Sequence, residues 1–143
     1  MSIEENKAIA RRLTEEVVNK GNLAVLDEVV DTNIVDHNPM IPDQAPGLEG
    51  AKQFFGMLRT AFPDWDSNID VIIAEGDKVA VRFSGSGTHQ GEFFGIPPTG
   101  KQVTTTGNVI YRIAGSKIVD QWINADMLGM LQQLGVVPPP GQA

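Results

Sequence analysis

Apolar positions in the first part of the chain recur with helical spacing. Ile9, Leu13 and Val17 follow at steps of four, with Arg11, Arg12 and Glu15 mostly elsewhere around the helix. Ser2 and Glu5 have the S-x-x-E spacing of a capping box, which satisfies two backbone donors left unpaired at a helix start. Gly21 suits the left-handed residue that closes such a helix, and Asn22 can cap a shorter one carrying Leu23, Leu26 and Val30. Thr32 to Asp36 reads as a short strand, followed by His37-Asn38-Pro39 and a loop rich in Pro and Gly up to Gly47. A third helix is expected from about Leu48 to Phe62, with Ala51, Phe54, Phe55, Leu58 and Phe62 on one face. Pro63 forbids its smooth continuation.

From Trp65 onward the period falls to that of a strand. Ile69, Val71 and Ile73 alternate, Glu75-Gly76-Asp77 turns, and Val79, Val81 and Phe83 alternate again. Thr88 to Gly100 is a loop with adjacent prolines. Val103, Thr105, Val109, Tyr111 and Ile113 form another strand, and Ala114-Gly115-Ser116 turns into Ile118 to Ala125. Asp126 can cap a final helix bearing Leu128, Leu131 and Leu134, closed by Gly135. Pro138-Pro139-Pro140 cannot pack as helix or central strand.

Helices first and hairpin-linked strands afterwards predict an α+β fold, a mostly antiparallel sheet packed against N-terminal helices. We expect a single domain over residues 1–135 and a Pro-rich tail over 136–143. Gly85, Gly87 and Gly107 fall inside strands, where glycine permits sharp bending. A curved sheet wrapped over helices encloses an apolar pocket.

Composition narrows the choice of ligand. The 143 residues are 41% hydrophobic and carry a formal net charge of −7, a balance that repels nucleic-acid phosphates and anionic membrane surfaces. No cysteine is present, which removes disulfides, thiolate nucleophiles and Cys-ligated zinc. The charged N-terminus lacks the apolar core of a signal peptide, and no apolar run reaches the roughly 18 residues that span a bilayer. A cytoplasmic protein is the expectation.

Few residues offer chemistry. Gly95 to Lys101 matches most of a phosphate loop, but Gln102 supplies no hydroxyl for magnesium and Pro97 and Pro98 remove backbone donors. Asp64 and Asp66, beside Pro63, read as a solvated turn rather than an acid/base pair. His37 and His89 each stand where a strand meets a loop, either as structural histidines or as acid/base groups of the pocket. They are distant in sequence and lack metal-ligand spacing, so no metal is expected. Asp36 must point opposite to His37 if the strand persists that far.

Gly87-Thr88-His89-Gln90-Gly91 followed by Phe94-Gly95-Ile96-Pro97-Pro98-Thr99-Gly100-Lys101 resembles the G-x-H-x-G…G-x-P-P-T run of SnoaL-like polyketide cyclases. The resemblance continues through Tyr111-Arg112, Lys117-Ile118 and Asp126 to Leu131-Gln132-Gln133-Leu134-Gly135. It implies the nuclear transport factor 2-like cone, frequent dimerisation, and aldol ring closure without metal or organic cofactor. The family's acid/base aspartate and its helper histidine fall on Ile123 and Val109, and neither side chain can transfer a proton. Asp126 matches a family residue, with N-capping as its competing role.

The hairpin at Gly115-Ser116 has two possible registers, one turning Ile123 into the cone and the other turning Trp122, Asn124 and Asp126 inward. The candidate catalytic set is therefore His37, His89 and Asp126. The candidate lining is Phe54, Phe62, Asn108, Val109, Tyr111, Trp122, Ile123 and Asn124. Three functions compete: a cofactor-independent cyclase or isomerase acting on a small apolar or aromatic substrate, a non-catalytic carrier of such a molecule, and a dimeric scaffold.

Overall fold

The computed structural model describes residues 2–138 and 141; Pro139, Pro140, Gln142 and Ala143 of the expected tail lie outside the described residues. Helix α1 (Ile3–Arg12) opens on the expected capping box. Glu5 N–H donates to Ser2 Oγ at 3.0 Å, and Ser2 N–H donates to Glu5 Oε1 at 3.3 Å. The helix continues over Leu13–Val18 with the wider π geometry, buries Leu13 and Val17, and ends at Gly21 with φ +69°.

The next segment is shorter than its spacing predicts. Leu23–Val25 forms a single 3₁₀ turn without a side-chain cap from Asn22, and α2 (Leu26–Val29) adds one α turn. Val30 already belongs to strand β1 (Val30–Asp36), because consecutive β-branched residues suit the extended chain better than another helical turn. Helix α3 spans Gly47–Ala61 and stops before Pro63.

Strands β2 (Asp66–Glu75), β3 (Lys78–Thr88), β4 (Gln102–Ala114) and β5 (Lys117–Ala125) complete a five-stranded sheet ordered β1-β5-β4-β3-β2. β1 runs parallel to β5 and the other neighbours are antiparallel. The concave face turns Val79, Val81, Val103, Val109, Tyr111 and Ile113 toward the helices, all buried. This is the α+β fold expected from the sequence, with a curved, mostly antiparallel sheet against helices.

Two bulges decide which side chains face inward. In β2, Ile69 pairs with Phe83 and Val71 with Arg82, which leaves Asp70 as an extra residue. Val71 and Ile73 therefore stand on the convex face, 52% and 62% exposed, while Ile72 and Ala74 pack against the core. Plain alternation from Ile69 fails there for that reason. In β5, Arg112 pairs with Asp120 and Ile113 with Ile118, so Val119 is the extra residue. Ile118 and Ile123 both point inward despite their opposite parity.

Gly85 and Gly87 make room for Trp65. A Cβ at either would fall 2.6 or 2.9 Å from the Trp65 ring. Helix α4 (Met127–Gln133) follows β5, with Asp126 as its N-cap. Its buried residue is Met130, with Leu134 just beyond, whereas Leu128 is 56% exposed. The core forms two clusters, one where α1 and β1 meet the sheet and another around Phe62, Trp65, Phe93 and Met130.

Candidate functional site

An apolar cavity of about 100 Å³ opens between the two clusters. Val81, Phe83, Val109, Tyr111, Ile123 and Ala125 supply its sheet wall. Phe54, Phe55, Met57 and Leu58 of α3 face them, with Val18, Met40, Trp65, Phe93, Phe94, Met127 and Met130 closing the sides. Tyr111 is the only ionisable group among these lining residues, and burial pushes its phenol far above its usual range, so it stays a neutral hydroxyl.

The polar groups of this cavity divide into committed and free. Ser67 Oγ accepts from Trp65 Nε1 at 2.9 Å, and Thr105 Oγ1 donates weakly to Asp126 O at 3.4 Å. The Tyr111 hydroxyl and the Gln121 amide make no hydrogen bond among the described residues, which leaves donors at the sheet wall of an otherwise apolar space.

A second cavity of about 460 Å³ lies between β1 and the start of α3. It shares Phe54, Phe55 and Gln121 with the first and adds Asn33, Asp36 and Gln44. Asp36 accepts from Asn38 N–H at 3.0 Å and from Gln44 Nε2 at 3.3 Å, with no cation at ion-pair distance among the described residues. Gln44 Oε1 is buried without a partner among the described residues.

The candidate catalytic residues do not converge. His37 stands on the convex face, its ring stacked on Trp122 with centroids 4.4 Å apart and planes 6° apart. Its Nε2 lies 2.9 Å from Asp120 Oδ1, and Arg112 Nε donates to Asp120 Oδ2 at 2.6 Å. The His37 hydrogen bond, followed by that of Arg112, holds the Asp120 carboxyl below the usual carboxylate range against the opposing effect of burial.

His89 is fully buried. Thr99 N–H donates to its Nδ1 at 3.2 Å, so the ring proton belongs on Nε2, which has no partner among the described residues. Gly100 N–H donates to His89 O, and His89 N–H to Lys101 O, both at 2.9 Å. The histidine thus ties the two ends of the loop that carries Phe93 and Phe94 into the cavity. Gly91 belongs to the same device. Its N–H donates to Ala61 O, and a Cβ there would fall 2.2 Å from Thr60 O.

Asp126 caps α4, accepting from Gly129 N–H at 2.9 Å. Asp64 accepts from Thr88 N–H and from Thr88 Oγ1, each at 2.7 Å, and those bonds hold its carboxyl below the usual range. Among the described residues no group of three His, Asp or Glu converges in metal-binding fashion.

Of the candidate lining, Phe54, Val109, Tyr111 and Ile123 meet in the first cavity. Phe62 packs behind it against Trp65, His89 and Phe93. Asn108, Trp122 and Asn124 lie on the opposite face, since the bulged register sets Asn108 against Asn124 and Ile110 against Trp122. Sequence reading missed Asp36 and Gln121 as cavity residues. The β1–β5 pairing that joins them is long-range, and no local signal announces it.

A family model described as SnoaL-like polyketide cyclase matches residues 8–134. Comparison with curated proteins gave no match. Among solved structures, TsrD from Streptomyces laurentii superposes with a TM-score of 0.87 at 23% identity, covering 96% of this chain and 99% of that one. IdmH from Streptomyces antibioticus gives 0.78 at 33% identity, covering 92% and 99%. A SnoaL-like polyketide cyclase from Agrobacterium tumefaciens gives 0.75 at 21% identity, covering 94% and 100%.

Proposed function

This chain belongs to the SnoaL-like polyketide cyclase family, and from that premise we propose that its inner cavity binds a small, flat, apolar or aromatic molecule. The carrying observation is the lining: aromatic and aliphatic side chains on every side, with a few hydroxyl and amide donors, Tyr111 and Gln121 of the sheet wall among them. On the resemblance read from the sequence, the family's acid/base positions fall on Ile123 and Val109, and these two pair across β4 and β5 and line the cavity as hydrophobes. Any proton transfer in this protein must come from other groups. A carrier role is the second reading, favoured by the absence of any carboxylate or imidazole among the residues of the inner cavity.

Titration with the neutral fluorescent probe N-phenyl-1-naphthylamine tests the reading. Ile123→Trp fills the cavity and should weaken binding by about tenfold or more, a loss of about 1.4 kcal/mol. Asn124→Trp, one residue along on the convex face, should leave binding unchanged. Equal affinities in both variants would refute the cavity as the binding site.

The convex face supports self-association. Val71, Ile73 and Ile110 are exposed there, 42% in the case of Ile110, which pairs with Trp122 of the His37–Trp122 stack. An apolar patch of that kind suits an isologous contact between two copies of this chain.

A further inference from the structure

Asp36, Gln121 and Tyr111 form one row across the concave side of the sheet. Asp36 of β1 pairs with Gln121 of β5, and Gln121 pairs with Tyr111 of β4. Neighbouring strands put successive members about 5 Å apart. Asp36 and Gln121 line the outer cavity, Gln121 and Tyr111 line the inner one, and Phe54 and Phe55 stand opposite at the junction. The row therefore presents a carboxylate, an amide and a phenol, in that order, to a molecule lying across both cavities.

The geometry points to Asp36 as the general base of this pocket, acting on a ketone whose carbonyl oxygen is held by Gln121 and Tyr111. The inference rests on the reading of the inner cavity as a site for an apolar ligand, and it adds a reacting end to that site. Three observations carry it. Asp36 accepts two hydrogen bonds, from Asn38 N–H and Gln44 Nε2, while an ionised carboxylate has about four acceptor directions, so capacity remains for a proton. No cation pairs with it among the described residues, so its charge is not already neutralised. The two donors beside it are uncommitted, and the depth of Tyr111 keeps its hydroxyl protonated and able to donate.

The step balances without any further reactant. A C–H bond on the carbon next to the carbonyl breaks, and its proton passes to a remaining lone pair of the Asp36 carboxylate, each of whose oxygens already accepts one hydrogen bond. The bonding pair becomes the C=C bond of an enolate, whose negative charge resides on the carbonyl oxygen. Tyr111 O–H and Gln121 Nε2–H donate to that oxygen as its charge grows. Asp36 then returns a proton to carbon, which is a deuteron once the carboxyl has exchanged its own with D₂O. The apolar wall of Val109 and Ile123 holds the ring system that carries the ketone. Chemistry is thus displaced from the last-strand position to the sheet edge, where β1 supplies the base.

The test uses 2-tetralone, a flat aromatic ketone with exchangeable protons beside its carbonyl. Its binding is followed through Trp65 fluorescence and its C1 protons by NMR in D₂O. The intact protein should speed hydrogen–deuterium exchange well above the buffer rate. Asp36→Asn should bind the ketone with unchanged affinity and lose about 100-fold of the catalysed rate. Tyr111→Phe combined with Gln121→Leu should lose about as much, because both oxyanion donors are gone. Retained binding shows that a variant is folded, and Asp36→Ser gives the same reading if Asp36→Asn does not fold. Binding without accelerated exchange, or exchange at the parent rate in Asp36→Asn, overturns the inference and leaves the apolar pocket standing. Failure of 2-tetralone to bind overturns both.

Discussion

His89 illustrates how a side chain suited to acid/base chemistry also holds a loop together. Its ring is buried against Phe62 and Phe93, and its Nδ1 accepts the Thr99 backbone N–H. The G-x-H-x-G and P-P-T residues of the sequence are therefore two sides of one loop closure: the first supplies the acceptor, the second the donor. Replacing His89 by alanine removes ring packing and strands the Thr99 N–H, which should cost about 2–4 kcal/mol of stability. Urea unfolding measures this, and a loss below about 0.5 kcal/mol, the size of an ordinary surface change, would contradict the role. Phe93 and Phe94 ride on the same loop, so ligand affinity should fall together with stability in this variant.

At the scale of elements, Asp120 joins three strands. It links His37 at the end of β1 to Arg112 of β4 from its own place on β5, and Arg112 also approaches Asp77 at 3.8 Å. A carboxyl whose pKa is lower folded than unfolded adds stability above the unfolded value, and that stability disappears as pH falls through the folded value. Asp120 therefore contributes fully at neutral pH and loses its contribution below about pH 4. Asp120→Asn should lower stability at pH 7 and flatten the acid limb of a stability–pH curve; an unchanged limb would refute this.

Most elements were legible in the sequence because their signals are local. The capping box at Ser2 and Glu5, the stop at Gly21, the turn at Gly115 and the cap at Asp126 each depend on residues within one turn. The facing of β2 and β5 was not, because Asp70 and Val119 are bulge residues and a bulge is defined by its partner strand. The site inherited that uncertainty. Val109, Tyr111 and Phe54 could be named as lining, but the choice between Trp122 and Ile123 waited on Val119, and Asp36 waited on a parallel pairing some eighty residues distant.

For the whole molecule, the sheet separates two kinds of surface. The concave side is closed by helices and a loop, while the convex side leaves Val71, Ile73 and Ile110 in water. Light scattering at micromolar concentration should give twice the chain mass, and Ile110→Asp should give a monomer that still binds the naphthylamine probe. A monomeric parent protein would refute the association. The cavity's lining has a different consequence. Of the five methionines in the sequence, Met1 opens the chain and the other four, Met40, Met57, Met127 and Met130, all border the inner cavity. Thioether chains are unbranched and polarizable, so this wall can remould around guests of different outline, against a sheet that stays fixed. The same sulfurs make the protein sensitive to peroxide: each sulfoxide would plant a dipole in a dry wall. Tolerance of shape and vulnerability to oxidants are here one property of one amino acid.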